Sequence, residues 1–188
     1  MNKKILAIYF LFVLFLTGCV TTGGLQKDVA PDLKENGLIL LPVTDRALFT
    51  ATGVSFVVSD LNEKRTILTV KDWPNEIPQK EGKGKRFYGA FTLPPGEYKF
   101  LSWYLVKTDG GSAKEPNEPF TFRLNKGEVI YVGNFNAIRP LGTGQFRDRF
   151  AEDVKNFQSI YPWINGSTVK QQLITGSWWT LPGGTEPK

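Results

Sequence analysis

There is no histidine among the 188 residues, and cysteine and methionine occur once each. Without histidine, a Ser-His-Asp triad, an imidazole general base and a histidine-ligated zinc site are all excluded. One cysteine cannot form an intrachain disulfide or a cysteine-ligated metal centre, so the folded body must hold by its core alone. Charge is thin: 23 Lys and Arg against 18 Asp and Glu leave +5, spread along the chain. A dedicated nucleic-acid surface wants a dense basic stripe, so no nucleic-acid partner is expected. Long hydrophobic runs are scarce too. The longest, Ile5 to Leu16, falls short of the roughly 20 residues that a membrane-spanning helix needs.

That run has a context. Lys3 and Lys4 precede it and Thr17 and Gly18 follow it, the layout of a secretory leader. The tetrapeptide Leu16-Thr17-Gly18-Cys19 resembles the lipobox of bacterial lipoproteins. The resemblance implies cleavage after Gly18, a diacylglycerol in thioether linkage on Cys19, and an acylated new amino terminus. Val20, where an Asp would signal retention in the inner membrane, implies passage to the outer membrane. Each buried methylene contributes about 0.8 kcal/mol, and one acyl chain holds only reversibly, so two or three chains make a lasting anchor. Lipidation also removes a lone thiol from an oxidising compartment. Cleavage leaves 170 residues (188 less 18) and, with Lys3 and Lys4 gone, a net charge of +3 (+5 less 2).

The expected organisation is a signal peptide over 1–18, the lipidated cysteine with a flexible tether over 19–36, a single β-sandwich domain with a helix over 37–180, and a frayed tail over 181–188. The expected fold is mainly β: an antiparallel β-sandwich with one C-terminal amphipathic helix packed against it. Leu38 to Val43 is apolar on both faces, and Pro42 within it points to a sheet edge or a bulge. Gly53 to Asp60 and Arg65 to Val70 are rich in β-branched residues, with a turn over Asp60 to Lys64. Glu81 to Arg86 is glycine-rich and basic, but no helix follows it as a phosphate loop requires.

Phe87, Phe91 and Leu93 keep period two up to Pro94-Pro95-Gly96-Glu97, a turn signal. Glu97 to Lys107 then carries Tyr98, Phe100 and Tyr104 on one face and Leu101, Trp103 and Leu105 on the other. Phe120 to Leu124, the turn Asn125-Lys126-Gly127 and Glu128 to Phe135 read as an antiparallel hairpin. The segment from Phe87 to Phe135 resembles the prealbumin-like and carboxypeptidase-regulatory-like β-sandwiches, and small bacterial lipoproteins with that core. The resemblance implies a fold and carries over no active-site residue. From Arg147 the period changes: Phe150, Val154, Phe157 and Tyr161 share one helical face over about 147–161. Asp148 stands ready to cap, Glu152 and Asp153 suit the first turns, and Pro162 ends it.

No catalytic constellation, cofactor motif or metal-ligand spacing emerges. The expected activity is binding: an envelope lipoprotein held to the bilayer through Cys19, docking an envelope protein or peptidoglycan through its β-sandwich. The adjacent Trp178 and Trp179 are the candidate partner surface. Two alternatives differ in kind. A carboxylate-based glycan hydrolase would need two acids facing one cleft, with Asp72, Asp109, Glu115 and Glu118 the loop acids available. A small-ligand or lipid carrier would need a hollow sandwich.

Overall fold

The computed structural model describes residues 20–46, 52–71, 76–77, 84–105, 120–138 and 143–179, with backbone alone described at 20–23, 76–77, 177 and 179. Thirteen strands lie among them: β1 (Val20–Gly23), β2 (Gly37–Arg46), β3 (Gly53–Asp60), β4 (Arg65–Lys71), β5 (Glu76–Ile77), β6 (Lys85–Leu93), β7 (Gly96–Leu105), β8 (Thr121–Leu124), β9 (Val129–Tyr131), β10 (Asn134–Ile138), β11 (Thr143–Arg147), β12 (Val169–Gln171) and β13 (Ser177–Trp179). Among the described residues one α-helix, α1 (Phe150–Ile160), follows β11, and one 3-10 turn spans Gly166–Thr168.

The strands form two sheets packed face to face. The first runs β1-β4-β3-β7-β8. The second is organised on β2, which pairs with β6 along one edge and with β9 and then β10 along the other. Strand β12 extends β9, β11 and β13 extend β10, and β5 extends β6. Pairing is mixed rather than wholly antiparallel, because β1 with β4, β2 with β9 and β10, and β9 with β12 are parallel ladders.

Strand β2 explains the layering. Ile39, Leu41 and Val43 point into the inter-sheet core, and Leu38 and Leu40 point to the opposite face. On that opposite face α1 lays down Val154, Phe157 and Ile160, with Tyr161 and Ile164 beyond it, against Leu38, Leu40, Tyr88, Ala90 and Tyr131. A strand covered on both sides must be apolar on both sides, as the run from Leu38 to Val43 is. Pro42 sits at the break between β9 and β10. The register advances three residues on β2 (Leu40 to Val43) against four on the partner (Tyr131 to Phe135). The Leu38 N–H donates across this edge to Glu128 O (2.7 Å), so by strand alternation the nitrogen of Pro42 faces the same edge. It lands where the ladder is already interrupted, and the missing N–H costs no bond.

Two turns, the second of them expected to close a hairpin, carry the chain between sheets. β6 pairs with β2 while β7 pairs with β3, so Leu93 to Gly96 is a crossing. The Tyr98 hydroxyl braces it by donating to Pro94 O (2.7 Å). Likewise β8 pairs with β7 and β9 with β2, so the expected hairpin of Phe120 to Leu124 with Glu128 to Phe135 is not formed. The Gly127 N–H bonds to Asn36 O (2.9 Å), and the Glu128 carboxylate accepts from the Asn125 N–H and Nδ2 (2.9 and 2.8 Å). Gly37 accommodates this crossing, since a Cβ there would stand 2.5 Å from Asn125 O and from Leu124. The expected β3–β4 hairpin does form.

In β7 a register irregularity opposite Val57 and Val58 shifts the alternation. As a result Trp103 joins Tyr98 and Phe100 in the core, and the two-face assignment read from period two is displaced by one residue after Phe100. The inter-sheet space is filled by rings in contact, among them Phe56–Phe135 (4.9 Å), Phe135–Phe146 (5.0 Å) and Trp103–Phe135 (5.2 Å).

The stretch expected to be a free tether is laid on the body from Val20 onwards. β1 adds to the first sheet beside β4. The Leu25 N–H donates to Ala90 O (3.0 Å), Leu25 and Leu33 pack on the helix-side core, and the Trp163 indole donates to Lys27 O (2.9 Å). Each of these contacts fixes backbone that a random-coil tether would leave free.

Candidate functional site

Gly18 and Cys19 lie outside the described residues, as do Asp72, Asp109, Glu115 and Glu118. Trp178 does not offer a partner surface: it is 1% exposed, and its ring meets Phe120, Phe135 and Phe100 in the core. Trp179 is placed by backbone pairing with Thr143. Among the described residues no group of three or more Cys, Asp or Glu gathers as a metal site, and no helix is long and apolar enough to cross a membrane.

Two places hold convergent polar side chains. The first lies between α1 and the second sheet. Asp153, expected on the polar face of the helix, is 0% exposed. The pattern contains the reason. Residue 153 is three after Phe150 and four before Phe157, so it shares their face. Its carboxylate accepts from the Tyr131 hydroxyl (2.8 Å), the Tyr88 hydroxyl (3.2 Å) and Asn134 Nδ2 (3.2 Å). Each donor is held in turn. The Arg149 N–H donates to the Tyr131 oxygen (3.2 Å), Asn156 Nδ2 to the Tyr88 oxygen (2.7 Å), and the Thr44 hydroxyl to Asn134 Oδ1 (2.8 Å). Beside them Glu152 bridges Arg86 and Arg149. At the helix start the N-cap is Arg149, whose side chain makes no capping bond, rather than the expected Asp148; one residue earlier the Asp148 carboxylate accepts from the Phe150 N–H (3.0 Å).

Electrostatics fix what this cluster can do. Burial pushes the Tyr88 phenol up to about 12, and the Asp153 charge adds to that. Burial and the same charge raise Tyr131. Asp153 itself is raised by burial, against the hydrogen bonds from Tyr131, Asn134 and Tyr88 that favour its charged form. Glu152 is lowered by Arg86 first and Arg149 second. Both phenols are therefore hydrogen-bond donors at neutral pH, and the carboxylate they hold is closed to solvent. The cluster pins the helix to the sheet.

The second place is open. A groove of about 500 Å³ lies at one end of the first sheet, lined by Asp60, Leu61, Glu97, Lys99, Arg123 and Gln172 among others. Tyr98 and Phe122, stacked at 5.2 Å, form part of its wall. The strand register sets Lys99 between Ser59 and Thr121, and Glu97 opposite Arg123. The Gln172 amide accepts from the Arg123 N–H (3.1 Å) and donates to Arg123 O (2.7 Å), so a side chain takes the place of a neighbouring strand on the free edge of β8. The lining comes from the β3–β4 turn, the start of β7, β8 and the segment after β12. No local motif joins these segments, and sequence reasoning singled out none of them.

On its outer side the first sheet carries Val57, Thr69, Lys99 and Tyr104, with Ser55, 3% exposed, bonded to Thr69 (2.9 Å). They alternate with the core residues Val54, Phe56, Val70, Phe100 and Trp103. Val57, Thr69 and Tyr104 are half-buried.

No family model matches the chain, and no curated protein matches it. Among solved structures, a leucine-rich repeat protein from Bacteroides thetaiotaomicron is similar at 13% identity and a TM-score of 0.32, over 70% of this chain. The chain spans 16% of that protein's length, and a likeness this slight carries no argument about fold or function.

Proposed function

We propose that this chain is a bacterial envelope lipoprotein, cleaved after Gly18 and anchored by acyl chains on Cys19, with the outer membrane as its destination. Its β-rich body works by binding a protein or cell-wall partner rather than by catalysis. The observation that carries the reading is the joint pattern of Lys3 and Lys4, the apolar run Ile5 to Leu16, and Leu16-Thr17-Gly18-Cys19 around the sole cysteine. Support for binding comes from the outer side of the first sheet, where Val57 and Tyr104 stand with Thr69 and Lys99, all four half-buried. Such a mixture suits a protein interface better than bulk hydrophobicity would. The ring-filled space between the sheets favours this reading over a hollow carrier.

Two measurements test it. Mass spectrometry of the mature amino terminus is expected to find diacylglycerol on Cys19, and an unacylated chain that still begins at Met1 overturns the anchor. Crosslinking in intact envelopes is expected to capture a partner that Thr69→Glu loses, because the new carboxylate stands in the middle of the outer face. Retention of the same partner by a variant that melts like wild type rules out that face.

A further inference from the structure

The register of β1 places its first residue, Val20, at one particular end of the body. Val20 pairs with Thr66 in a parallel ladder, and Arg65 opens β4 directly after the β3–β4 turn. Cys19 is one peptide bond, about 3.8 Å between Cα atoms, from Val20. Adjacent strands lie about 4.8 Å apart. Val20, the residue that follows Cys19, is therefore close to the turn Asp60 to Lys64 and remote from the far end of β4. Lys71, six residues along that strand, is about 20 Å away.

The turn is built to present an apolar side chain. Asp60 Oδ1 accepts from the N–H groups of Asn62 and Lys64 (2.9 Å each), the Asp60 N–H bonds to Lys64 O (3.2 Å), and the Glu63 N–H bonds to Asp60 O (3.1 Å). Glu63 takes a left-handed conformation (φ 61°) to close it. On this fixed tip Leu61 is 76% exposed, the more exposed of the two large apolar side chains that stand out among the described residues. Lys64 and Arg65, both exposed, follow it. Their long stems let an ammonium and a guanidinium reach lipid phosphates while the apolar portions stay against the body.

Resting on the reading of Cys19 as acylated, we propose that this end of the first sheet is the face the body sets on the bilayer. Leu61 enters the headgroup layer, Lys64 and Arg65 meet phosphates, and the groove beside the turn opens onto lipid. The occupant is the phospholipid surface, chosen because the anchor ends there. The outer face of the first sheet then stands across the membrane plane, open to a partner.

The test uses the full acylated protein with Leu61→Cys as its only free thiol, the Cys19 sulfur being in a thioether. The thiol carries an environment-sensitive fluorophore, and the protein is reconstituted in vesicles of phosphatidylethanolamine and phosphatidylglycerol containing a nitroxide-labelled lipid. Lys71→Cys, labelled in the same way, is the reference. Quenching at position 61 is expected to exceed that at 71 several-fold. Equal quenching, or stronger quenching at 71, in protein that floats with the vesicles overturns the orientation and leaves the anchor standing. Protein that fails to float, with no diacylglycerol in its mass, overturns the anchor and the orientation together. Shielding at 61 that appears only when envelope extract is added assigns the turn to a protein and also overturns the proposal.

Discussion

Removing the carboxylate of Asp153 tests the account of how α1 is held. In Asp153→Ala the Tyr131 hydroxyl, the Tyr88 hydroxyl and Asn134 Nδ2 lose the acceptor they share. A buried donor left without a partner costs about 1–3 kcal/mol. Against this, the variant no longer keeps a charge out of water, and Tyr88 retains the bond from Asn156. Breaking a buried charged cluster at one member costs about 3–5 kcal/mol in general, and that is the expected loss here, read from urea denaturation at neutral pH. For a body of this size each kcal/mol corresponds to roughly 2–4 °C of Tm, so a fall of roughly 6–20 °C accompanies it.

The pH dependence supplies a second readout. Burial raises Asp153 above its ordinary 3.8, so the folded state binds that proton more tightly than the unfolded chain does. This contribution to stability is full below 3.8 and is lost as pH rises to the folded value. Wild type is therefore expected to be most stable relative to Asp153→Asn in acid, with the difference shrinking as pH rises through that window. Glu152 acts with the opposite sign, because Arg86 and Arg149 lower it and its contribution is lost as pH falls. The Asn substitution leaves Glu152 in place, so the comparison isolates Asp153. A loss under 1 kcal/mol in Asp153→Ala, or a wild-type advantage over Asn that grows with pH, refutes the reasoning.

Three further substitutions probe the inter-sheet core and its edge. Trp178→Ala is expected to cost about 3–5 kcal/mol in chemical denaturation, because the ring is enclosed by Phe120, Phe135 and Phe100; a surface residue would lose far less. Gly144→Ala is expected to cost about 1–3 kcal/mol or more, since its Cβ would meet the Phe135 ring at 2.0 Å and that ring is already wedged by Phe56 and Trp103; a Tm unchanged from wild type contradicts the packing. Gln172→Ala takes both amide bonds from Arg123 and is expected to cost about 1 kcal/mol while raising concentration-dependent association, measured by light scattering, as the β8 edge is uncovered.

What the chain discloses about itself divides by range. Period two and β-branched content identify β3, β4, β6 and β7, and the 3.6-residue stripe identifies α1 within a few residues of its ends, because these signals are local. Strand partners are another matter. Asn125-Lys126-Gly127 is as good a turn for a corner between sheets as for a hairpin. The choice is made by Gly37 and Asn36, some ninety residues away, which accept the crossing. The switch of Trp103 to the inner face likewise depends on a bulge at Leu101, which appears only once β7 is paired with Val57 and Val58 of β3. Asp153 was half legible: its place on the apolar stripe is plain from the spacing, but the three side chains that satisfy it come from β6, β9 and β10, and Thr44 on β2 holds one of them, Asn134. Trp178 and Trp179, adjacent near the terminus, resemble an exposed platform only until β11 is seen to take them as an added strand.

The attachment of residues 20–36 changes what an anchor at Cys19 can accomplish. A free chain of that length would let the body wander roughly 20–25 Å from the bilayer in any orientation. The four register pairs of β1 with β4 and the Trp163–Lys27 contact remove that freedom. Among the described strands β1 is also an edge of its sheet, the kind of backbone that recruits another chain. On the proposal that Cys19 is acylated, a lipid one residue before this edge would set it at the membrane surface, where an extended segment from solution has the least room to add. Orientation and edge protection would then follow from the same four residues. Breaking the β1–β4 ladder while leaving Cys19 intact should loosen the body's orientation and expose β4 as a new edge together, and a variant that did one without the other would separate the two roles.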